Sequence, residues 1–322
     1  MRIKALVALT LLLAMSAAAG LVIRHWWADG PLGKPVEVII PGGATLTSAA
    51  AELERSGAIR SSDWFLALAK LFGSGDPVRA GEFELPALAS GADALDILQH
   101  GKPLRRLITV TEGMPSILVH ERLMTNPLLT GPAPVPAEGS VLPDSYDYQR
   151  GEPRAAVLKR MQDAMTSTLD TLWAGRKPGI AVASKAEAVT LASIVEKETA
   201  KPSERRMVAG VYSNRLRQGM KLDADPTVIY PITRGKPLGR RILRSELRDD
   251  NGYNTYARAG LPPGPIANPG RASIAAVLDP APTRALFFVA DGTGGHVFAE
   301  RLAEHEANRR KWYAIRRARG EM

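Results

Sequence analysis

Apolar and polar positions change period several times along the chain, and each change predicts an element. Val36-Glu37-Val38-Ile39-Ile40 is a β-type run stopped by Pro41-Gly42-Gly43, so a strand and a turn are expected. A helix follows with Thr47 or Ser48 as its cap and apolar positions through Leu53. Ser61-Ser62-Asp63 opens a second helix over Trp64–Phe72, closed by Gly73-Ser74-Gly75. Glu82-Phe83-Glu84-Leu85 alternates as a strand does, Ala92–Leu98 is helical up to Gly101, and Arg106–Val110 reads as another strand. Strands interleaved with helices over residues 36–110 predict a small α+β module. Asn126–Pro143 contains Pro127, Pro132, Pro134, Pro136 and Pro143, which favours an extended path within a connecting region over 111–182. A helix is expected there from Arg154 to Trp173. Residues 183–317 then form a larger α+β domain, and the fold class as a whole is α+β.

The N-terminus has a different pattern. Arg2 and Lys4 precede Ala5–Ile23, a run without charge or proline, whose length as a helix is about 28 Å, close to the hydrocarbon thickness of a bilayer. Basic residues on its N-terminal side place that end in the cytoplasm. Trp26 and Trp27, after Arg24, occupy the place of interfacial aromatic anchors. Residues 1–24 are thus expected to be a cytoplasmic tip and a single transmembrane anchor. Ala17-Ala18-Ala19 leaves a cleaved signal peptide as the competing reading. Either reading sends the rest of the chain across the membrane.

Composition narrows the chemistry. The 322 residues include no cysteine, which excludes thiol catalysis, disulfides and Cys-ligated metal. With 42 Lys+Arg against 33 Asp+Glu the net charge is +9, an invitation to anionic partners. Much of the excess sits in the last sixteen residues, as Arg309, Arg310, Lys311, Arg316, Arg317 and Arg319 against Glu321. No stacking ladder or nucleic-acid motif accompanies it, and export makes nucleic acid an unsuitable partner. The basicity is assigned to docking or solubility. His25, His100, His120, His296 and His305 form no zinc motif, and Gly292–Gly295 lacks the Lys-Ser/Thr of a phosphate loop, so no metal or cofactor is expected and a hairpin turn is the expected use of those glycines.

The richest segment is Ala188–Thr199. At 100° per residue Ala188, Leu191, Ala192, Val195 and Thr199 share one face. Glu196 and Glu198 lie about 200° apart on its flanks, so they do not serve one site as a carboxylate pair. Glu198 adjoins Val195, Ile194 and Leu191; a carboxyl there loses water, its pKa rises, and it can serve as a general acid. A surface helix with solvated glutamates fits the same periodicity. Polar groups gather further on: Asn214 and Arg215 at the end of a helix beginning near Glu204, then Asp223, Asp225–Tyr230 and Tyr253-Asn254-Thr255-Tyr256. Aromatics with Asn, Thr and Asp suit a sugar-binding cleft. Gly260–Ile266 is either a stiff wall of that cleft or simply a rigid loop.

With these blocks the sequence resembles the endolytic murein transglycosylase (YceG-like) family. The resemblance is carried by Ile39–Gly43, Ala80–Phe83, Glu112–Met114, Leu142–Tyr146, Leu191–Thr199, Val211–Met220, Asp225–Tyr230, Tyr253–Ile266 and Phe288–Phe298. It implies a LysM-like module over 36–110, a periplasmic catalytic domain over 183–317, and cleavage within peptidoglycan glycan strands beside peptidoglycan synthases and division proteins. It implies Glu198 as the catalytic acid, Glu196 as a supporting neighbour, and substrate-binding or supporting roles for Asn214, Arg215, Asp225, Tyr230, Tyr253, Asn254, Thr255 and Tyr256. Asp223, where relatives commonly carry Gln, and Pro231 depart from the pattern. The family chemistry needs one carboxyl: the muramic acid's own C6 hydroxyl displaces the leaving group and leaves a 1,6-anhydro end. The alternative function is a non-catalytic peptidoglycan-binding adaptor of the division machinery; a hydrolase using water is a third.

Overall fold

The computed structural model describes residues 9–10, 13–16, 20, 22 and 24–321. Most of the apolar run Ala5–Ile23 lies outside the described residues, and with it the expected anchor. Among the described residues no helix is long and apolar enough to cross a membrane. The chain divides into two compact units, residues 1–106 and 107–322, each mixed α and β.

In the first unit, β1 (Val36–Ile40) pairs antiparallel with β2 (Gly81–Leu85), with Val38 opposite Phe83. Val38, Ile40, Phe83 and Leu85 are buried on the face that α1 (Leu46–Arg55), α2 (Ser62–Phe72) and α3 (Gly91–His100) help to cover. The cap of α1 is Thr45 and not Thr47 or Ser48: its hydroxyl accepts the Ser48 N–H, while Ser48 Oγ accepts the Thr45 N–H at 2.9 Å. Ser48 therefore closes a capping box from inside the first turn. Trp26 is not the interfacial anchor expected. It is 2% exposed, with its ring 5.6 Å from Phe65 and close against Gly91, whereas Trp27 is exposed.

The second unit begins in β3 (Arg106–Thr109), which pairs with β4 (Ser145–Tyr148). With α4 (Ser116–Met124) and α5 (Arg154–Ala174) these residues enclose a core including Val119, Leu123, Val157 and Met161. The proline-rich stretch 126–143 has neither helix nor strand, yet it is fastened. Buried Asn268 accepts the Val141 N–H at 3.0 Å and donates to Met114 O at 2.9 Å and Ser116 Oγ at 3.1 Å. The main core surrounds α6 (Lys185–Glu198), with α7 (Arg205–Arg217), α8 (Asp225–Thr233) and α10 (Arg271–Leu278) packed against it; α9 (Arg244–Arg248) lies between α8 and α10 in the chain. β5 (Phe287–Ala290) and β6 (His296–Ala299) form an antiparallel hairpin whose turn holds Gly292–Gly295. The basic C-terminus is the helix α11 (Leu302–Ala318), packed on that hairpin.

Candidate active site

Ser184 starts α6 by accepting the Glu187 N–H at 3.2 Å, and Glu187 returns a carboxylate to the Ala183 N–H at 2.6 Å. Ala188–Val195 are then buried without interruption, so the middle of the helix is enclosed on every side and is not a solvated surface helix, while Lys185, Ala186 and Lys197 near its ends are exposed. Its polar positions are satisfied internally. Thr190 Oγ1 bonds to Ala186 O at 2.9 Å, and Ser193 Oγ bonds to Thr190 O at 2.7 Å while accepting the Ile266 N–H at 3.0 Å. That last bond fixes the Pro/Gly segment 260–266 to α6, with Ile266 in the core.

Glu198 is the final residue of this helix. The hydroxyl of fully buried Tyr212, from α7, donates to its carboxylate. Burial pushes the Glu198 carboxyl up to about 7, and the negative charge of Asp225 acts in the same direction; the Tyr212 hydrogen bond and the positive charge of Arg215 oppose them. Such a carboxyl holds its proton near neutrality and can release it to a substrate oxygen. Tyr212→Phe removes a donor that favours the ionised form. Carbon-13 NMR titration of the carboxyls should then find the Glu198 midpoint above that of the parent protein; an unmoved or lower midpoint would mean the phenol does not tune it.

Glu196 lies on the other flank, as the helical angle requires. Its Oε2 accepts the Gly270 N–H at 2.9 Å at the start of α10, and its Oε1 meets Arg205 at 3.3 Å, which in turn holds Glu112 at 2.7 Å. Glu196 thus ties α6 to α7 and α10, and it does not share a site with Glu198.

The other expected site residues divide between the two roles. Arg215, Asp225 and Tyr256 join Glu198. The Tyr256 hydroxyl donates to Asp225 Oδ1 at 2.7 Å, and burial followed by the charge of Asp225 pushes the Tyr256 phenol far above its usual range. Buried Arg215 donates to Leu286 O at 2.6 Å, to Lys221 O and Leu222 O at 3.0 Å, and to Asp223 Oδ2 at 2.9 Å. Asp223 has φ +52, so the departure noted in the sequence places a carboxylate on a left-handed turn and pairs it with Arg215. Tyr230 and Tyr253 form a ring pair with centroids 5.0 Å apart. Three residues are fasteners. Asn214 Nδ2 bonds to Thr283 O at 2.8 Å and Ala285 O at 3.1 Å. Asn254 Nδ2 holds Asp249 O at 2.7 Å and two further carbonyls. Thr255 Oγ1 meets Thr227 Oγ1 at 2.9 Å inside the core.

Two residues near these groups were missed from sequence. Tyr212 precedes Arg215 by three positions on α7, the spacing that puts both on one helix face, and that signal was available. Glu138 bonds to the Ser116 N–H at 2.9 Å and to the Tyr230 hydroxyl, and burial raises its pKa; nothing in a proline-rich stretch marks it. Among the described residues no cluster of three or more His, Asp or Glu gathers as metal ligands would.

A family model described as the YceG-like family matches residues 38–311. The chain belongs to the YceG-like family. A Bacillus subtilis (strain 168) protein named endolytic murein transglycosylase is 35% identical over 55% of this chain and 48% of its own length. A Streptococcus pneumoniae protein of the same name is 27% identical over 87% of this chain and 59% of its own length. The YceG-like chain therefore spans about half to three-fifths of the relatives it matches. A crystal structure of a YceG-like protein from Listeria monocytogenes aligns with TM-score 0.54 at 24% identity, covering 85% of this chain and 98% of that one, a likeness of fold.

Proposed function

We propose that this chain is an endolytic peptidoglycan lytic transglycosylase, a lyase that cuts the β-1,4 bond between MurNAc and GlcNAc within glycan strands and thereby ends strand growth. The observation that carries the reading is the Glu198 carboxyl at the end of a buried helix, pushed up to about 7 beside Tyr212 and Asp225. The names of the relatives in Bacillus subtilis and Streptococcus pneumoniae support the same reaction class.

One carboxyl is enough for this reaction. Protonated Glu198 gives its proton to the glycosidic oxygen as that bond breaks. The resulting carboxylate then takes the proton of the muramic acid's C6 hydroxyl as O6 closes on C1. Atoms and charge balance without water, and the product is a 1,6-anhydro end. A retaining or inverting hydrolase would use a second carboxyl as nucleophile or water-activating base; Glu196 is committed to Gly270 and Arg205, and the nearby Asp225 accepts the Tyr256 hydroxyl. Asp225, held by Tyr256, sets negative charge toward the oxocarbenium-like state. The Tyr230–Tyr253 pair offers apolar ring faces to pyranose rings.

The remaining assignments are part of the same proposal. Residues 1–24 anchor the chain once in the inner membrane with the N-terminus in the cytoplasm. Residues 36–110 form a LysM-like glycan-binding module and 183–317 the periplasmic catalytic domain. The partners are peptidoglycan strands, with synthases and division proteins alongside. Incubating the full-length protein with purified sacculi and reading the products by mass spectrometry tests the reaction: new anhydromuramic ends are expected. Reducing ends would mean hydrolysis by water, and no new ends would favour a non-catalytic adaptor.

A further inference from the structure

Two routes of contact lead from His296, at the start of β6, toward Glu198: one to Thr199, the next residue in the chain, and one through Tyr212 to the carboxyl. The first runs through the backbone that follows the acid. Thr199 caps α6 in an extended conformation and is 3% exposed. Its hydroxyl accepts the Lys201 N–H at 3.1 Å and makes a long contact to Glu204 Oε2 at 3.5 Å. The Glu204 carboxylate in turn receives the His296 backbone N–H at 3.1 Å and the imidazole Nδ1 at 2.7 Å, so Nδ1 carries the proton and donates. Gly295 permits this approach, because a Cβ there would stand 2.4 Å from both Glu204 Oε1 and Lys201 Nζ.

The second route is aromatic. The His296 ring stands edge-on to Phe288 with centroids 5.2 Å apart, Phe288 stands edge-on to Tyr212 at 5.7 Å, and the Tyr212 hydroxyl reaches Glu198. The same imidazole therefore braces both the main chain just after Glu198 and the phenol that holds its carboxyl. Buried carboxyls aim a proton well only if their support is rigid, since a misplacement of about 1 Å costs on the order of a hundredfold in rate.

We propose that His296 is a positioning residue for Glu198, acting through Glu204 and Thr199 on one side and through Phe288 and Tyr212 on the other. This rests on the reading of Glu198 as the acid. The charged groups around the imidazole contact are Glu204, Lys201 at 3.9 Å from that carboxylate, and Asp291 in the hairpin turn.

Full-length His296→Ala and His296→Gln test it on solubilised, peptide-free glycan strands. For the Ala variant kcat should fall by roughly 10- to 100-fold with KM within about twofold of the parent. Gln keeps a donor for Glu204 and should restore most of the loss. Hydrogen exchange read by mass spectrometry should be faster over residues 196–205 in the Ala variant. If that variant does not fold, Glu204→Gln, with its weaker acceptor, carries the same readouts. Unchanged kcat, a loss confined to KM, or unchanged exchange over 196–205 would each overturn the proposal. If the parent protein makes no anhydro ends, the functional reading fails by itself, and the exchange measurement still decides whether His296 braces Glu198.

Discussion

Glu198→Gln in the full-length chain is expected to lower the yield of anhydromuramic ends by about two to four orders of magnitude, the usual worth of a positioned acid. Gln has the shape of Glu, so Tyr212 can still donate to its oxygen and the surroundings of α6 keep their packing. What disappears is the proton for the leaving oxygen and the base for the C6 hydroxyl. Binding of glycan strands should survive, because neither Tyr230–Tyr253 nor Asp225 is altered. The measurement pairs product analysis by mass spectrometry with strand binding on the same preparation. Equal product yield from the Gln variant would remove Glu198 from the chemistry. Loss of binding together with loss of product would mean that Glu198 holds the strand rather than cutting it. Glu196→Gln should behave differently: its expected defect is in folding stability, since it weakens the ties to Gly270 and Arg205.

Strands and helices with open faces were the most legible part of the fold. β1 buries one face, so its two-residue period marks Val38 and Ile40 as the core side chains, and in the structure Val38 lies opposite Phe83. α6 was harder for a physical reason. Thr190 and Ser193 look like positions that face water, yet both bond within their own helix and Ser193 also receives Ile266. A helix whose middle is enclosed on all sides, with residues such as Ala188, Ala192 and Ser193, has a weak apolar stripe, and periodicity could not separate it from a surface helix. The opposed flanks of Glu196 and Glu198, by contrast, follow from helix geometry alone and hold in the structure. Asn214, Asn254 and Thr255 have residue types that suit a sugar cleft, but types do not show direction; here they tie loops together. Trp26 was misplaced for a similar reason, since an aromatic beside an apolar run fits an interface and a small core equally well. Glu138 and the His296 bracing depend on contacts between distant segments, which local sequence does not encode.

Glu198→Gln is also expected to stabilise the fold, and only above a certain pH. In the unfolded chain this carboxyl titrates near the ordinary value of 4.5, whereas in the folded chain it is pushed up to about 7. Below pH 4.5 both states hold the proton, and the parent and the Gln variant should differ by a constant amount. Between those values the unfolded parent has lost a proton that the folded parent keeps, so rising pH favours unfolding of the parent relative to the variant. Above the folded value the gap levels off, having widened by roughly 3 kcal/mol by linkage. Urea unfolding at pH 4, 5.5, 7 and 8.5 would trace this curve, and a gap independent of pH would mean that Glu198 is not desolvated. Asp225→Asn supplies a second check, because removing the neighbouring charge should lower the Glu198 value and narrow the gap. The same desolvation that would keep a proton on the acid near neutrality thus costs the fold stability at alkaline pH, so a variant that gains stability there is expected to lose the proton donor.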